Sequence, residues 1–536
     1  MLAVVFDSND LPTGLDEMLD GSRIAGSIRL DARDDLRTAL ALADRSIGDA
    51  MLCLHAWRRW GDAFVERLAG DFAFALWDES RRRLLLVRDQ LGVRSLFYAR
   101  IGTTWVVSDS LDGLAARPSL NKRLDETWIG DFLATGHSLD AWRTVYAAVK
   151  RLPPGHCVAL TREGETVRRY WRISVDEPLF LHDGRAYGER LRELTKTAIR
   201  DRAPAGRLGI SMSGGLDSTT LAALSVEALG DARRVTARCT HFETLMADDE
   251  PHFARLAARS LGIGLGFDKA DAAYDPQWRE RGIRTAEPTP TIVNAHREQA
   301  LARSMAAEAS VWLYGEGPDN ALVFERAAYL GWLMRTGQWV RAASAFGRYV
   351  GLKLGEREQQ QRSLASLPAS SEFPIWLRPD FVERIGLRER VRAFLSPAPY
   401  DHPWHPRALG SFGTPVWQSM LGNLEADRAQ GLDWRHPYLD LRVLQFLLSV
   451  PPVPWARRKL VLREAMRGRL PAEVLERRKT PLSGNALHQA LSGVDLPLIA
   501  SATLEPWLDP GRLPRRPHAA DLEPLIAAHA LDHWLS

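Results

Sequence analysis

Ser213-Gly214-Gly215-Leu216-Asp217-Ser218 stands between an apolar run, Leu208 to Met212, and a helix-like run, Thr219 to Leu229. Consecutive small residues let main-chain N–H groups turn inward as an anion-holding concavity, and a helix that follows aims its positive end at the same point. No Gly-Lys-Ser/Thr closes this loop, so it is not the γ-phosphate clamp of the other common phosphate loop. Asp217 stands there instead, an oxygen ligand suited to magnesium. A bare Gly-Gly pair after a strand would be no more than a tight turn; Ser213, Asp217 and Ser218 around it give the loop its chemistry.

The chain has 536 residues, 45% of them hydrophobic, which is room for two to four domains with real cores. Lys plus Arg number 70 against 67 Asp plus Glu, a net charge of +3 that gives no reason to expect nucleic acid. No apolar run approaches the roughly 18 residues needed to cross a bilayer, and Met1 to Phe6 has neither the basic start nor the length of a signal peptide. A cytoplasmic protein without a membrane span is expected. Cys53, Cys157 and Cys239 are scattered without metal-like or redox-like spacing and read as core residues rather than disulfides or zinc ligands.

Two textures follow one another. From Phe72 to Leu160 short β-rich runs recur (Phe72 to Trp77, Leu84 to Arg88, Thr104 to Ser108, His156 to Leu160), punctuated by Gly92, Gly102 and Pro153-Pro154-Gly155. After Trp171, strands alternate with amphipathic stretches such as Tyr187 to Ala203, Thr219 to Leu229 and Phe253 to Leu261, as in a parallel α/β sheet. From about Leu330 the chain reads as mostly helical, with the polar stretch Gly355 to Glu372 as a loop. Units of 1–175 and 185–536 are expected.

The loop at Ser213 resembles that of the N-type ATP pyrophosphatases, which implies cleavage of ATP between its α and β phosphates. Leu68-Ala69-Gly70-Asp71-Phe72-Ala73-Phe74-Ala75-Leu76-Trp77-Asp78, with Val87-Arg88-Asp89-Gln90-Leu91-Gly92-Val93-Arg94-Ser95-Leu96-Phe97-Tyr98, resembles the glutaminase domain of glutamine-dependent asparagine synthetases. Leu152-Pro153-Pro154-Gly155 and Tyr170-Trp171 fit the same family, so the resemblance covers nearly the whole chain. It implies an Ntn-hydrolase-like αββα sandwich followed by an adenine-nucleotide α-hydrolase-like parallel α/β synthetase domain with added helices. That glutaminase attacks glutamine with an N-terminal cysteine. Position 2 here is Leu2, and no cysteine precedes Cys53. The first domain therefore reads as degenerate, a retained scaffold.

Leu313-Tyr314-Gly315-Glu316-Gly317-Pro318-Asp319-Asn320 resembles the family's second signature, with Pro318 and Asn320 as departures. Asp319 joins Asp217 as an expected magnesium ligand; its other reading is the cap of a helix beginning near Asn320. The resemblance implies ATP or pyrophosphate contacts at Met212, Ser213, Gly214, Gly215, Asp217, Ser218, Cys239, Tyr314 and Gly315. Glu316 is a candidate base for the attacking amine or, alternatively, a structural hydrogen-bonding group. Lys459 to Ala465 and Leu470 to Thr480 resemble the segment ending in the family's catalytic lysine, which falls on Lys479. Only seven basic residues in the chain are lysine, so a lysine at 479 suggests that a compact ammonium is wanted for oxyanion and phosphoryl charge. His436 and Asp440, in the Arg435-His436-Pro437-Tyr438-Leu439-Asp440 segment, are read as structure.

Without ammonia from glutamine, an adenylated carboxylate must meet another amine. Two branches of the family pair a dead glutaminase domain with such chemistry: the β-lactam synthetases and the lasso-peptide cyclases. The first carries tyrosine where Glu316 stands, and Gly315 to Asn320 resembles the second. The reading is a lasso-peptide macrolactam synthetase using ATP and Mg2+, with a linear core or precursor peptide as substrate. A leader peptidase and a leader-recognition protein are its implied partners. Small-molecule cyclisation and ammonia-dependent asparagine synthesis are the alternatives.

Overall fold

A computed structural model describes residues 3–6, 14–354, 373–397, 400–478, 484–499, 502–516, 518 and 521–536. Leu2, Lys479 and the stretch Gly355 to Glu372 lie outside the described residues.

The first half is built on two antiparallel sheets. Six strands run in the spatial order Glu165–Arg169, His156–Leu160, Arg83–Arg88, Gly70–Asp78, Ser22–Leu30, Glu17–Leu19, and four in the order Ala3–Phe6, Thr104–Ser108, Phe97–Ile101, Val149–Arg151. Alternation along Gly70–Asp78 sends Ala73, Ala75 and Trp77 to the core shared with Tyr98 and Trp105 of the second sheet. Phe72, Phe74 and Leu76 turn the other way, onto the helix Asp49–Trp60. Leu111 and Leu114 of the short helix Leu111–Ala115 cover the outer face of the smaller sheet. Helix, sheet, sheet and helix make the αββα sandwich. The strand Ser22–Leu30 lies ahead of the region that the sequence marked as β-rich, because Arg23, Gly26, Ser27 and Arg29 break its apolar pattern.

The second half carries a five-stranded parallel sheet in the order Gly264–Lys269, Val235–His241, Leu208–Ser211, Val311–Leu313, Asp433–Arg435. From Leu208–Ser211 the chain first moves outward through two strands, then returns to Val311–Leu313 on the other side. Loops after these two neighbours therefore open in opposite directions and leave a crevice at the carboxyl ends of the strands. Gly209 is required where the strands meet: a Cβ there would stand 2.1 Å from the Trp312 indole. Asp433–Arg435 is a strand inside the stretch from Leu330 that reads as mostly helical; three residues, two of them charged, give no period, and pairing with Val311–Leu313 makes them a strand.

Charge and apolar surface both join the halves. Arg202, fully buried, donates to both carboxylate oxygens of Asp31 at 2.7 and 2.8 Å and to Asp440 at 2.8 Å. Arg29 bridges Asp31 and Asp71, and Arg442 bridges Asp201 and Asp440. Arg94 reaches Asp433 at 2.7 Å. Asp31, Asp201 and Asp440 cluster closely enough to suggest a metal, but three guanidiniums already occupy their oxygens, and the cluster is an ion-pair network. A separate apolar core packs Trp128, Ile129 and Phe132 of the helix Glu126–Thr135 against Leu525, Ile526 and Leu531 of the helix Leu522–Leu535. Among the described residues no helix is long and apolar enough to cross a membrane.

Candidate active site

Strand Leu208–Ser211 ends at the loop, and Gly215, which has no side chain of its own to cap with, is the N-cap before the first N–H groups of the helix Leu216–Leu229. Those donors and the helix dipole point at the loop's mouth, the arrangement that binds phosphate. Two serines brace the loop. Ser213 Oγ accepts from Gly215 N at 3.2 Å, Ser218 Oγ donates to the Ser213 carbonyl at 2.9 Å, and the two hydroxyls lie 3.1 Å apart. Gly214 has no room for a side chain, since a Cβ would meet the Glu250 carbonyl at 2.6 Å and Arg477 Nη1 at 2.8 Å. Gly315, from the neighbouring strand's loop, lies against the same turn, its Cβ position 3.4 Å from Ser218 N.

Asp217 and Asp319, from loops following adjacent strands, converge on one cation, the Lys459 ammonium. Lys459 Nζ is bonded to Asp217 Oδ2 and lies 2.8 Å from Asp319 Oδ1. Burial pulls the Lys459 pKa down, but the two carboxylates outweigh it and hold the ammonium above its ordinary value. Two carboxylates reaching a single positive centre have the donor chemistry and spacing that a hard oxygen-seeking cation needs, so the pair fits magnesium. Asp319 sits inside the first turn of the helix Pro318–Ala321, whose N-cap is Gly317, so it does not cap that helix. The Tyr438 hydroxyl donates to the Asp217 carbonyl at 3.0 Å and fixes the loop from below.

The other expected positions divide. Tyr314 is half-buried edge-on to Trp434 and His436, its phenol pushed up by burial and by Glu316 nearby. Met212 and Cys239 are fully buried, their side chains in the core beneath the sheet, which leaves only main-chain atoms to meet a ligand. Burial holds the His436 imidazole down to about 4 and therefore neutral, and Asp440 belongs to the ion-pair network. Lys479 lies outside the described residues.

Lys459 and Arg477 had been given no role. Arg477 packs against Gly214 and Phe253 and pairs with Asp249 at 2.5 Å. The signal for Lys459 was the one used for Lys479: a lysine in a chain that otherwise uses arginine. Its main chain adds a second, because Arg458 and Lys459 both hold left-handed conformations, φ 48° and 52°, which non-glycine residues adopt at a cost and mostly at functional sites.

Residues 190–535 match the Asparagine synthase family and residues 31–171 the Glutamine amidotransferase domain. The chain belongs to the asparagine synthase family. Homologues in that family are ATP-dependent amide-forming ligases. Among similar proteins, asparagine synthetase [glutamine-hydrolyzing] 3 of Bacillus subtilis is 23% identical over 474 residues, covering 84% of this chain and 73% of that one. Amidase chyE of Penicillium rubens is 26% identical over 314 residues, 54% of this chain and 44% of its own. A putative asparagine synthetase of Mycobacterium tuberculosis is 30% identical over 205 residues, 37% of this chain and 31% of its own. The chain thus spans less than half the length of the last two.

Proposed function

We propose that this chain is a macrolactam synthetase of lasso-peptide biosynthesis, with a degenerate glutaminase-like unit at 1–175 and an adenylating unit at 185–536. The observation that carries the choice of nucleophile is the fate of the three cysteines. Cys53, Cys157 and Cys239 are all buried, with thiols pushed up by desolvation, so none of them is a thiolate poised to attack glutamine. An amine other than glutamine-derived ammonia then takes the activated carboxylate. Glu316 in place of tyrosine, with the Gly-Glu-Gly-Pro-Asp-Asn form of 315–320, favours a peptide over a β-lactam precursor.

In this reading an Asp or Glu side chain of the linear peptide attacks the α phosphorus of ATP, and the bond to the β phosphate breaks. Ser213 to Ser218 cradle the departing pyrophosphate with main-chain N–H groups, Met212, Cys239, Tyr314 and Gly315 border the nucleotide, and Asp217 and Asp319 hold Mg2+. The ion supplies neutralisation of phosphate charge. The peptide's N-terminal amine then attacks the acyl carbon, AMP leaves, and one proton is lost, with Glu316 as its acceptor and Lys479 stabilising the oxyanion. Holding both ends of one molecule makes the second step intramolecular, and such proximity can supply roughly 7 to 11 kcal/mol. A leader peptidase and a leader-recognition protein would work beside the enzyme in the cytoplasm.

Incubation of the chain with a candidate linear peptide, ATP and Mg2+ should give AMP, pyrophosphate and a product lighter by one water. Formation of ADP, or of asparagine from aspartate and ammonia, would overturn the proposal.

A further inference from the structure

Helices Arg326–Arg335 and Trp339–Leu354 pack together, and the second also packs against residues 452–456, which lead into Arg457-Arg458-Lys459. Residues 326–354 contain five basic residues (Arg326, Arg335, Arg341, Arg348, Lys353) and neither Asp nor Glu, in a chain whose charges nearly balance overall, 70 to 67. Ala342 and Ala345 face the core. Trp339 is 64% exposed, Val340 85%, Phe346 55% and Val350 36%. Positions 339, 343, 346 and 350 follow helical spacing, so Trp339, Ala343, Phe346 and Val350 form one outward stripe. Elsewhere Trp77, Trp312, Trp376 and Trp404 are fully buried, and a large aromatic left this open on a cationic helix marks a binding surface.

The helix that carries the stripe packs beside the segment leading to Lys459. Tyr349, between Phe346 and Val350, carries the Arg326 guanidinium over its ring at 4.3 Å and that of Arg457 at 5.6 Å, with the Phe324 ring stacked 6.2 Å away. Arg457 is two residues from Lys459, and Phe324 is five from Asp319. We propose that this surface docks the linear peptide substrate, taking a segment with apolar side chains and at least one carboxylate and leading its acceptor end to Asp319 and Lys459. From Trp339 to Val350 the stripe is about 16 Å long, room for roughly five extended residues. An amino acid or a small cyclisation precursor cannot fill it, whereas a peptide can use contacts there to hold its reacting carboxylate in place. The inference rests on the peptide-cyclising reading of the site.

The test uses the full chain and a fluorescein-labelled octapeptide of leucine, phenylalanine and glutamate, beside the same peptide with glutamine for glutamate. The acidic probe should bind, the glutamine probe more weakly, and Phe346→Glu/Val350→Glu should bind the acidic probe at least about tenfold more weakly while unfolding at the same temperature as the parent. Arg348→Ala should weaken acidic-probe binding and flatten its salt dependence. Equal binding by parent and double variant would overturn the inference. So would binding of phosphatidylglycerol vesicles that the double variant loses while it keeps the acidic probe, since the surface would then serve a membrane. If a peptide is cyclised with the same KM by parent and double variant, the docking surface is wrong and the cyclase reading stands; a raised KM at similar kcat supports both. AMP formation with a small acceptor alone, never with peptide, overturns the cyclase reading and the docking surface with it.

Discussion

The crevice of the parallel sheet and the seam between the two halves are both dense in charge, and they use it in opposite ways. At the seam, Arg29, Arg202 and Arg442 are matched to Asp31, Asp71, Asp201 and Asp440 by short hydrogen bonds, and all of these groups but Arg442 and Asp201 are closed off from water. In the crevice, Asp319 remains half exposed, and Asp217 and Asp319 both reach the Lys459 ammonium. The N-cap there is Gly215, which has no side chain to lay over the helix donors. Guanidiniums matched to several carboxylates in the interior specify an assembly, whereas carboxylates that meet an ammonium at an open site can exchange it for another cation.

The sharpest break of this contrast is in the crevice. Asp217→Asn should lower the rate of AMP formation by about 10²- to 10³-fold or more, as loss of a preorganised charge in such sites does; activity within tenfold of the parent removes Asp217 from the chemistry. At the seam, Arg202→Met should cost about 3–5 kcal/mol, because Asp31 and Asp440 are left buried without their guanidinium. The denaturant midpoint reads this, and an unchanged midpoint would show that the network adds nothing. Gly214→Ala should come next, at about 1–3 kcal/mol from overpacking against the Glu250 carbonyl, with weaker ATP binding measured by titration calorimetry.

Acid separates the two regions more gradually. Burial holds His436 and His137 down to about 4 and His529 to about 3. The unfolded chain therefore binds protons that the folded chain refuses, and the stability present above pH 6.5 is lost as pH falls toward 4. Burial raises Asp433, but Arg94 and Arg435 outweigh it and hold the carboxylate down to about 2. Its contribution is present above the unfolded value of 3.8 and disappears as pH falls through 2. Thermal melts across this range should decline in those two stages, and Asp433→Asn should flatten the lower one. The smallest effect is expected at Cys239→Ala, which should leave the KM for ATP unchanged because the thiol is in the core.

The crevice was legible in the sequence because its chemistry is local: six consecutive residues make the loop, and eight more contain Asp319. The αββα architecture followed from the resemblance carried by Leu68 to Asp78 and Val87 to Tyr98, and the parallel sheet from the alternation of strands and amphipathic stretches after Trp171. What was hidden depends on distant partners. Arg202, near the end of the helix Gly184–Arg202, reads like a solvated helix charge until Asp31 and Asp440 close on it. Lys459 sat in a recognised segment, but only the left-handed turn at 458–459 brings it to carboxylates from two other loops. The strand Asp433–Arg435 owes its existence to Val311–Leu313 and not to its own three residues.

The packing of the helix Leu522–Leu535 against the helix Glu126–Thr135 sets a timetable for the ribosome. Leu525, Ile526 and Leu531 are made about 400 residues after Trp128, Ile129 and Phe132. At about 5–20 residues per second the wait is roughly 20 to 80 seconds. During it, the sandwich presents a sticky, half-built surface to the cell, and the helix Leu522–Leu535 closes it.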